Sequence, residues 1–145
     1  MIKKVDHVTM VVKDLDAALK NFKDMLHLEP EKGKYIGETS QRRLAMLPTN
    51  GGARIELIQP KPGDNNRFSK FLKERGEGVV GLSIFCTNFD EEIANLKKKG
   101  IPIEEETGTV HPGYPFRIAW VAPEKAHGVW LEYVDAEALP PHLRP

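Results

Sequence analysis

A chain of 145 residues, with 21 Lys and Arg balanced by 21 Asp and Glu, has room for one domain of ordinary size and carries no formal net charge. At 40% hydrophobic and 29% charged, it has the composition of a globular protein with a real core, which disfavours disorder. The charge balance excludes a general binder of nucleic acid or anionic membrane, since such proteins need surplus Lys and Arg to replace counterions.

No apolar run approaches the ~20 residues of a transmembrane helix. The opening Met1-Ile2-Lys3-Lys4-Val5-Asp6 lacks the apolar segment of a secretory signal, so a cytoplasmic protein is expected. A strand is predicted over 5–12, buried on both faces, from its β-branched content. Asp14 then caps a helix in which Leu15, Ala18, Leu19, Phe22, Met25 and Leu26 recur at three- and four-residue spacings, a stripe that stops before Pro30. A turn at Glu31-Lys32-Gly33 and a short stretch at Tyr35-Ile36 lead to strands at 42–47 and 54–58, which Asn50-Gly51-Gly52 joins as a hairpin. A loop at 61–66 precedes a short helix at 67–75, with Phe68, Phe71 and Leu72 on one side.

The order then repeats. A strand at 79–86 contains Cys86, the single cysteine, expected to be a buried and inert thiol. Asn88-Phe89-Asp90 opens a helix whose apolar positions are Phe89, Ile93 and Leu96 and whose stop is Gly100. Strands follow at 103–107, 116–121 and 128–134, with a rigid loop at His111-Pro112-Gly113-Tyr114-Pro115. The tail 136–145, with three prolines and no periodicity, is expected to be frayed or to lie across a partner subunit.

Leu15 to Phe89 and Asp16 to Asp90 are both offset by 74 residues, and Ile55-Glu56-Leu57 to Leu131-Glu132-Tyr133 by 76, as a duplication requires. The predicted class is therefore α+β: two tandem βαβββ modules forming a curved eight-stranded cup with the helices outside. Module one is placed at 1–60, a linker helix at 61–78, module two at 79–135 and the tail at 136–145, all within one domain. Side chains alternate along a strand, so His7, Thr9 and Val11 share a face, as do Arg54, Glu56 and Ile58. Charged residues inside apolar strands are the site candidates, namely Glu56, Glu132, Arg43, Arg54 and Arg117. Two carboxylates close together in an apolar cup require a proton, a cation or a basic partner. Gly81 in a strand marks room for a ligand.

The runs His7-Val8-Thr9-Met10-Val11-Val12-Lys13-Asp14-Leu15, Ile55-Glu56-Leu57-Ile58-Gln59-Pro60, Phe71-Leu72-Lys73-Glu74-Arg75-Gly76-Glu77-Gly78 and Gly128-Val129-Trp130-Leu131-Glu132 resemble, in order, those of the vicinal oxygen chelate superfamily. That group contains glyoxalase I, bleomycin-resistance proteins, extradiol dioxygenases and methylmalonyl-CoA epimerase, and the epimerase branch is nearest in look. The resemblance implies a divalent metal (Ni, Co, Mn, Zn or Mg) held by His7, Glu56 and Glu132. The fourth position falls on Gly81, where the epimerases carry a histidine, and this weakens the site.

It also implies an isomerase or lyase that abstracts a proton alpha to a carbonyl or thioester, with Glu132 as base and Glu38 as the nearest carboxylate for a second base. Substrate contacts are expected from Gly81, Arg43, Arg54, Arg117, Trp120 and Tyr114. The expected partners are a small molecule such as a CoA thioester and a second copy of the chain, with no nucleic acid or membrane. The alternative is a metal-free binding or sequestering protein of the bleomycin-resistance kind, its cup lined by Trp120, Trp130 and Tyr133.

Overall fold

A computed structural model describes residues 1–30, 36–63, 65–111 and 113–145. The elements are β1 (Ile2–Val11), α1 (Leu15–Leu26), β2 (Ile36–Glu38), β3 (Arg42–Leu47), β4 (Arg54–Pro60), α2 (Arg67–Arg75), β5 (Gly78–Cys86), α3 (Phe89–Lys98), β6 (Ile103–His111), β7 (Tyr114–Val121), β8 (Trp130–Asp135) and a 3₁₀ turn (Pro141–Leu143). The α+β class and the doubled βαβββ order are both present. The predicted turn at Glu31-Lys32-Gly33, Tyr35, Asp64 in its loop and Pro112 lie outside the described residues. Among the described residues no helix is long and apolar enough to cross a membrane.

The chain divides into two compact units, 7–80 and 1–6 with 81–145. In the unit 7–80 the strands run β2-β3-β4-β1, with β2/β3 and β3/β4 antiparallel and β4/β1 parallel. Gly51, at φ +85, takes the left-handed turn that the Asn-Gly-Gly step predicted. Asp14 accepts a hydrogen bond from the Ala17 amide at 3.0 Å, starting α1 where the sequence placed it. The inner side of α1 brings Leu15, Ala18, Leu19 and Phe22 onto Val12, Ala45, Leu47 and Leu57, so this face of the sheet is the apolar one.

In the unit 1–6 with 81–145 the order is β5-β8-β7-β6, with β5/β8 parallel and the other pairs antiparallel. Phe89 and Ile93 of α3 pack on Ile84, Cys86, Ala119, Val121 and Tyr133. The opposite face carries a second core of Phe85, Ile118, Trp120, Val134 and Ala136, joined by Leu139. The tail is therefore tied down rather than frayed: Leu139 caps this core, and the Arg144 side chain donates to the carbonyls of Leu139 and Glu137 at 3.0 and 2.9 Å.

Three expectations change in detail. Residues 2–5 of β1 are exposed, and only the stretch from Asp6 onward is mostly buried. The predicted loop at 111–115 is mostly strand, because β6 continues to His111 and β7 begins at Tyr114. Asn88 opens α3 in a left-handed conformation without a side-chain cap, and the Glu137 carboxylate takes its backbone N–H instead. Cys86 is fully buried, and burial pushes its thiol up to about 11, as an inert core cysteine requires.

Candidate functional site

The alternation of side chains decides which charged residues can do chemistry. In the unit 7–80, β1 and β4 pair in the register His7↔Arg54, Thr9↔Glu56 and Val11↔Ile58, and β3 continues the same face with Met46↔Glu56, Leu44↔Ile58 and Arg42↔Pro60. These residues lie opposite the α1 face. Here the Thr9 hydroxyl donates to Oε2 of Glu56 at 2.8 Å, and Nε2 of His7 lies 3.4 Å from the same oxygen. Burial alone pushes the Glu56 carboxyl up, but His7, Thr9 and the positive Arg42 together outweigh it and hold the group below its ordinary range. Glu56 is thus a partly buried carboxylate kept ionised by its neighbours.

The second unit repeats the arrangement. Ser83 pairs with Glu132 across β5 and β8, Trp120 pairs with Glu132 across β7 and β8, and the Ser83 hydroxyl donates to Oε2 of Glu132. Ser83 is 1% exposed and Glu132 7%. Trp120 and Trp130 stand beside Glu132 on this face, their rings 6.3 Å apart and nearly perpendicular at 87°. Thr9 to Ser83 is an offset of 74 and Glu56 to Glu132 of 76, so each unit holds its glutamate with a hydroxyl from the neighbouring parallel strand. The units differ at His7, whose counterpart is Gly81, paired in register with Trp130.

The arginines divide between the faces. Arg54 shares the face of Glu56, whereas Arg43 lies on the α1 side and its guanidinium bonds both carboxylate oxygens of Asp16, at 3.0 and 3.2 Å. Arg117, 74 residues on, does the same with Asp90 at the start of α3, and adds a 3.1 Å contact to the buried Asp135. Both are clamps between a strand and the first turn of a helix. Tyr114 falls on the Trp120 face but is exposed at the end of β7. Tyr133 packs on the opposite, α3 side, away from the tryptophans. Glu38 pairs in register with Arg43 rather than with the Glu56 face, and its exposed carboxylate is bonded by Lys61 at 2.6 Å, which holds it below the ordinary range.

Arg42 is the residue that sequence reasoning missed. Of the adjacent pair Arg42 and Arg43, alternation sends one to each face, and only the observed register shows that Arg42 takes the face of Glu56.

The family model of the Glyoxalase/Bleomycin resistance protein/Dioxygenase superfamily matches residues 6–118. The chain belongs to this superfamily. Human mitochondrial methylmalonyl-CoA epimerase is 24% identical over 135 residues, covering 92% of this chain and 74% of that protein. The crystal structure of the Mycobacterium tuberculosis methylmalonyl-CoA epimerase superposes with a TM-score of 0.76 at 27% identity, over 92% of this chain and 88% of that one. The Streptomyces coelicolor methylmalonyl-CoA epimerase in complex with 2-nitronate-propionyl-CoA gives 0.77 at 24% identity, over 93% and 98%, which is a likeness of fold.

The divalent ion that the superfamily resemblance implies can be tested against the residues present. Metal bonds of about 2.0–2.2 Å at a right angle place neighbouring donors about 3 Å apart, so His7 Nε2 and Glu56 Oε2 at 3.4 Å suit two adjacent ligands. Among the described residues, no group of three or more His, Cys, Asp and Glu side chains is gathered so as to hold an ion.

Proposed function

We propose that this superfamily member is a methylmalonyl-CoA-epimerase-like isomerase or lyase that removes a proton alpha to a carbonyl or thioester. The observation that carries the reading is the pair of strand glutamates, the partly buried Glu56 and the buried Glu132, each held through Oε2 by a hydroxyl from the adjacent strand. A hydroxyl bond to a carboxylate fixes the direction in which it can take up a proton, and its burial removes the water that would compete for that proton. Glu132 is assigned the proton transfer, with Ser83 fixing its orientation. His7 and Glu56 would hold a divalent ion, which supplies positive charge to the enolate oxygen when bound. His7, Thr9 and Arg42 keep Glu56 ionised for that role. The wider expectations, a cytoplasmic location and pairing with a second copy, accompany this reading.

Deuterium exchange tests it. Propionyl-CoA in D2O should lose its alpha-proton NMR signal in the presence of the protein, and Glu132→Gln should slow that loss about 100-fold or more. Exchange at the wild-type rate in the variant would remove Glu132 from the chemistry. The Trp120–Trp130 pair favours a second reading, a ligand-binding protein without catalysis, which predicts tight thioester binding with no exchange.

A further inference from the structure

Beyond its field on Glu56, Arg42 has a place that the proton chemistry does not use. Its register partner is Pro60, on the face where Ile58 and Glu56 follow at two-residue steps, while Arg43 beside it is engaged by Asp16. The Arg42 guanidinium lies over the ring of Phe68, the buried residue at the start of α2, at 5.2 Å from the centroid. Its Nε is buried without a hydrogen-bond partner, and among the described residues no carboxylate is in ion-pair contact with it. A guanidinium never loses its charge in a protein, and buried donors left open are costly. Resting over an aromatic ring, it can offer its N–H groups to an oxyanion, and Arg binds phosphate or carboxylate through two such bonds.

Distance fixes what kind of oxyanion. Arg42 precedes Met46, the register partner of Glu56, by four residues along the strand, roughly 13 Å between backbone positions at about 3.3 Å per residue. The guanidinium rests over Phe68 and acts on Glu56 through its field without bonding it, so an oxyanion that it bonds is set off from the reacting carbon by a tether. We propose that Arg42, braced by Phe68, seats a phosphate or carboxylate at the far end of the substrate, so that the site selects tethered anions over neutral acyl compounds. The proposal rests on the reading that substrate lies against the Glu56 face.

Calorimetric titration with three ligands tests it. Propionyl-CoA carries remote phosphates, glutaryl-pantetheine a remote carboxylate, and propionyl-pantetheine neither. At least one of the two anionic ligands should bind the wild-type protein 10-fold or more tighter than propionyl-pantetheine, by a margin that shrinks with added salt. Which of them shows the margin identifies phosphate or carboxylate as the source. Arg42→Gln should erase the margin, Arg42→Lys should keep part of it, and Arg43→Gln should keep all of it, each margin being taken against propionyl-pantetheine on the same variant. Thermal unfolding of each variant confirms that it is folded. A margin that survives in both Arg42 variants, or equal binding of all three ligands by the wild type, overturns the assignment and leaves the reaction standing. No binding of any ligand overturns it together with the substrate reading.

Discussion

Arg117 and Arg43 occupy equivalent positions, yet their removal should have unequal consequences. Arg117 bonds Asp135 at 3.1 Å, and that carboxylate is only 7% exposed; it also accepts from the backbone N–H of Glu137 at 3.0 Å. Arg117→Met preserves most of the packing on Phe89 but leaves a buried charge short of its cation. Breaking a buried pair costs about 3–5 kcal/mol, and because Arg117 is itself 35% exposed, water recovers part of this, leaving a loss of about 2 kcal/mol. In the other unit, the residue equivalent to Asp135 is the neutral Gln59, whose Oε1 already accepts from the Leu15 amide at 2.8 Å and is 3.5 Å from Arg43. Arg43→Met strands no buried charge, because Asp16 is 73% exposed, and should cost less than half as much. Urea unfolding followed by far-UV circular dichroism measures both losses, with the slope of the transition unchanged. The double variant Arg117→Met with Asp135→Asn should recover most of the loss. Equal destabilisation by the two arginine variants, or no recovery in the double variant, refutes the reasoning.

Other consequences follow from the same contacts. The depressed Glu56 carboxyl contributes stability that is fully present above its ordinary value of 4.5 and is lost as pH falls through the lower folded value. Thr9→Val removes one of the supports, so acid unfolding, scanned by fluorescence, should begin at higher pH; an unchanged acid limb would show that the hydroxyl contributes nothing. Ser83→Ala should destabilise the protein by about 1–2 kcal/mol, as expected when a buried carboxylate loses a hydroxyl donor, and should also slow alpha-proton exchange. With its thiol pushed up to about 11, Cys86 is ionised to about one part in a thousand at pH 8, so iodoacetamide should modify it only as fast as the chain opens. The same raised value means that stability declines as pH rises from the unfolded thiol value near 9 toward 11.

Much of the architecture was legible because it rests on local signals. The α1 stripe, the Asp14 cap and the Asn-Gly-Gly hairpin each occupy a few neighbouring residues, and the repeat offsets of 74 and 76 extended the same reading to the second half. Glu56 and Glu132 stood out as charges flanked by apolar residues at equivalent places. Which way a strand residue points is a different matter, since a shift of one residue reverses every side chain. Arg43, Arg117 and Tyr133 sit on helix-facing positions, and Arg42 on the Glu56 face, only because the observed registers Arg42↔Pro60 and Ala119↔Tyr133 put them there. The roles of Thr9 and Ser83 were likewise hidden, because a hydroxyl in a strand carries no sequence signature until its cross-strand neighbour is known. Composition, periodicity and duplication thus determined the α+β class, the element order and the two glutamates. The pairing of strands decided what holds those glutamates and which arginines share their faces, because strand pairing joins residues some 47 to 49 positions apart, a separation that no local pattern encodes.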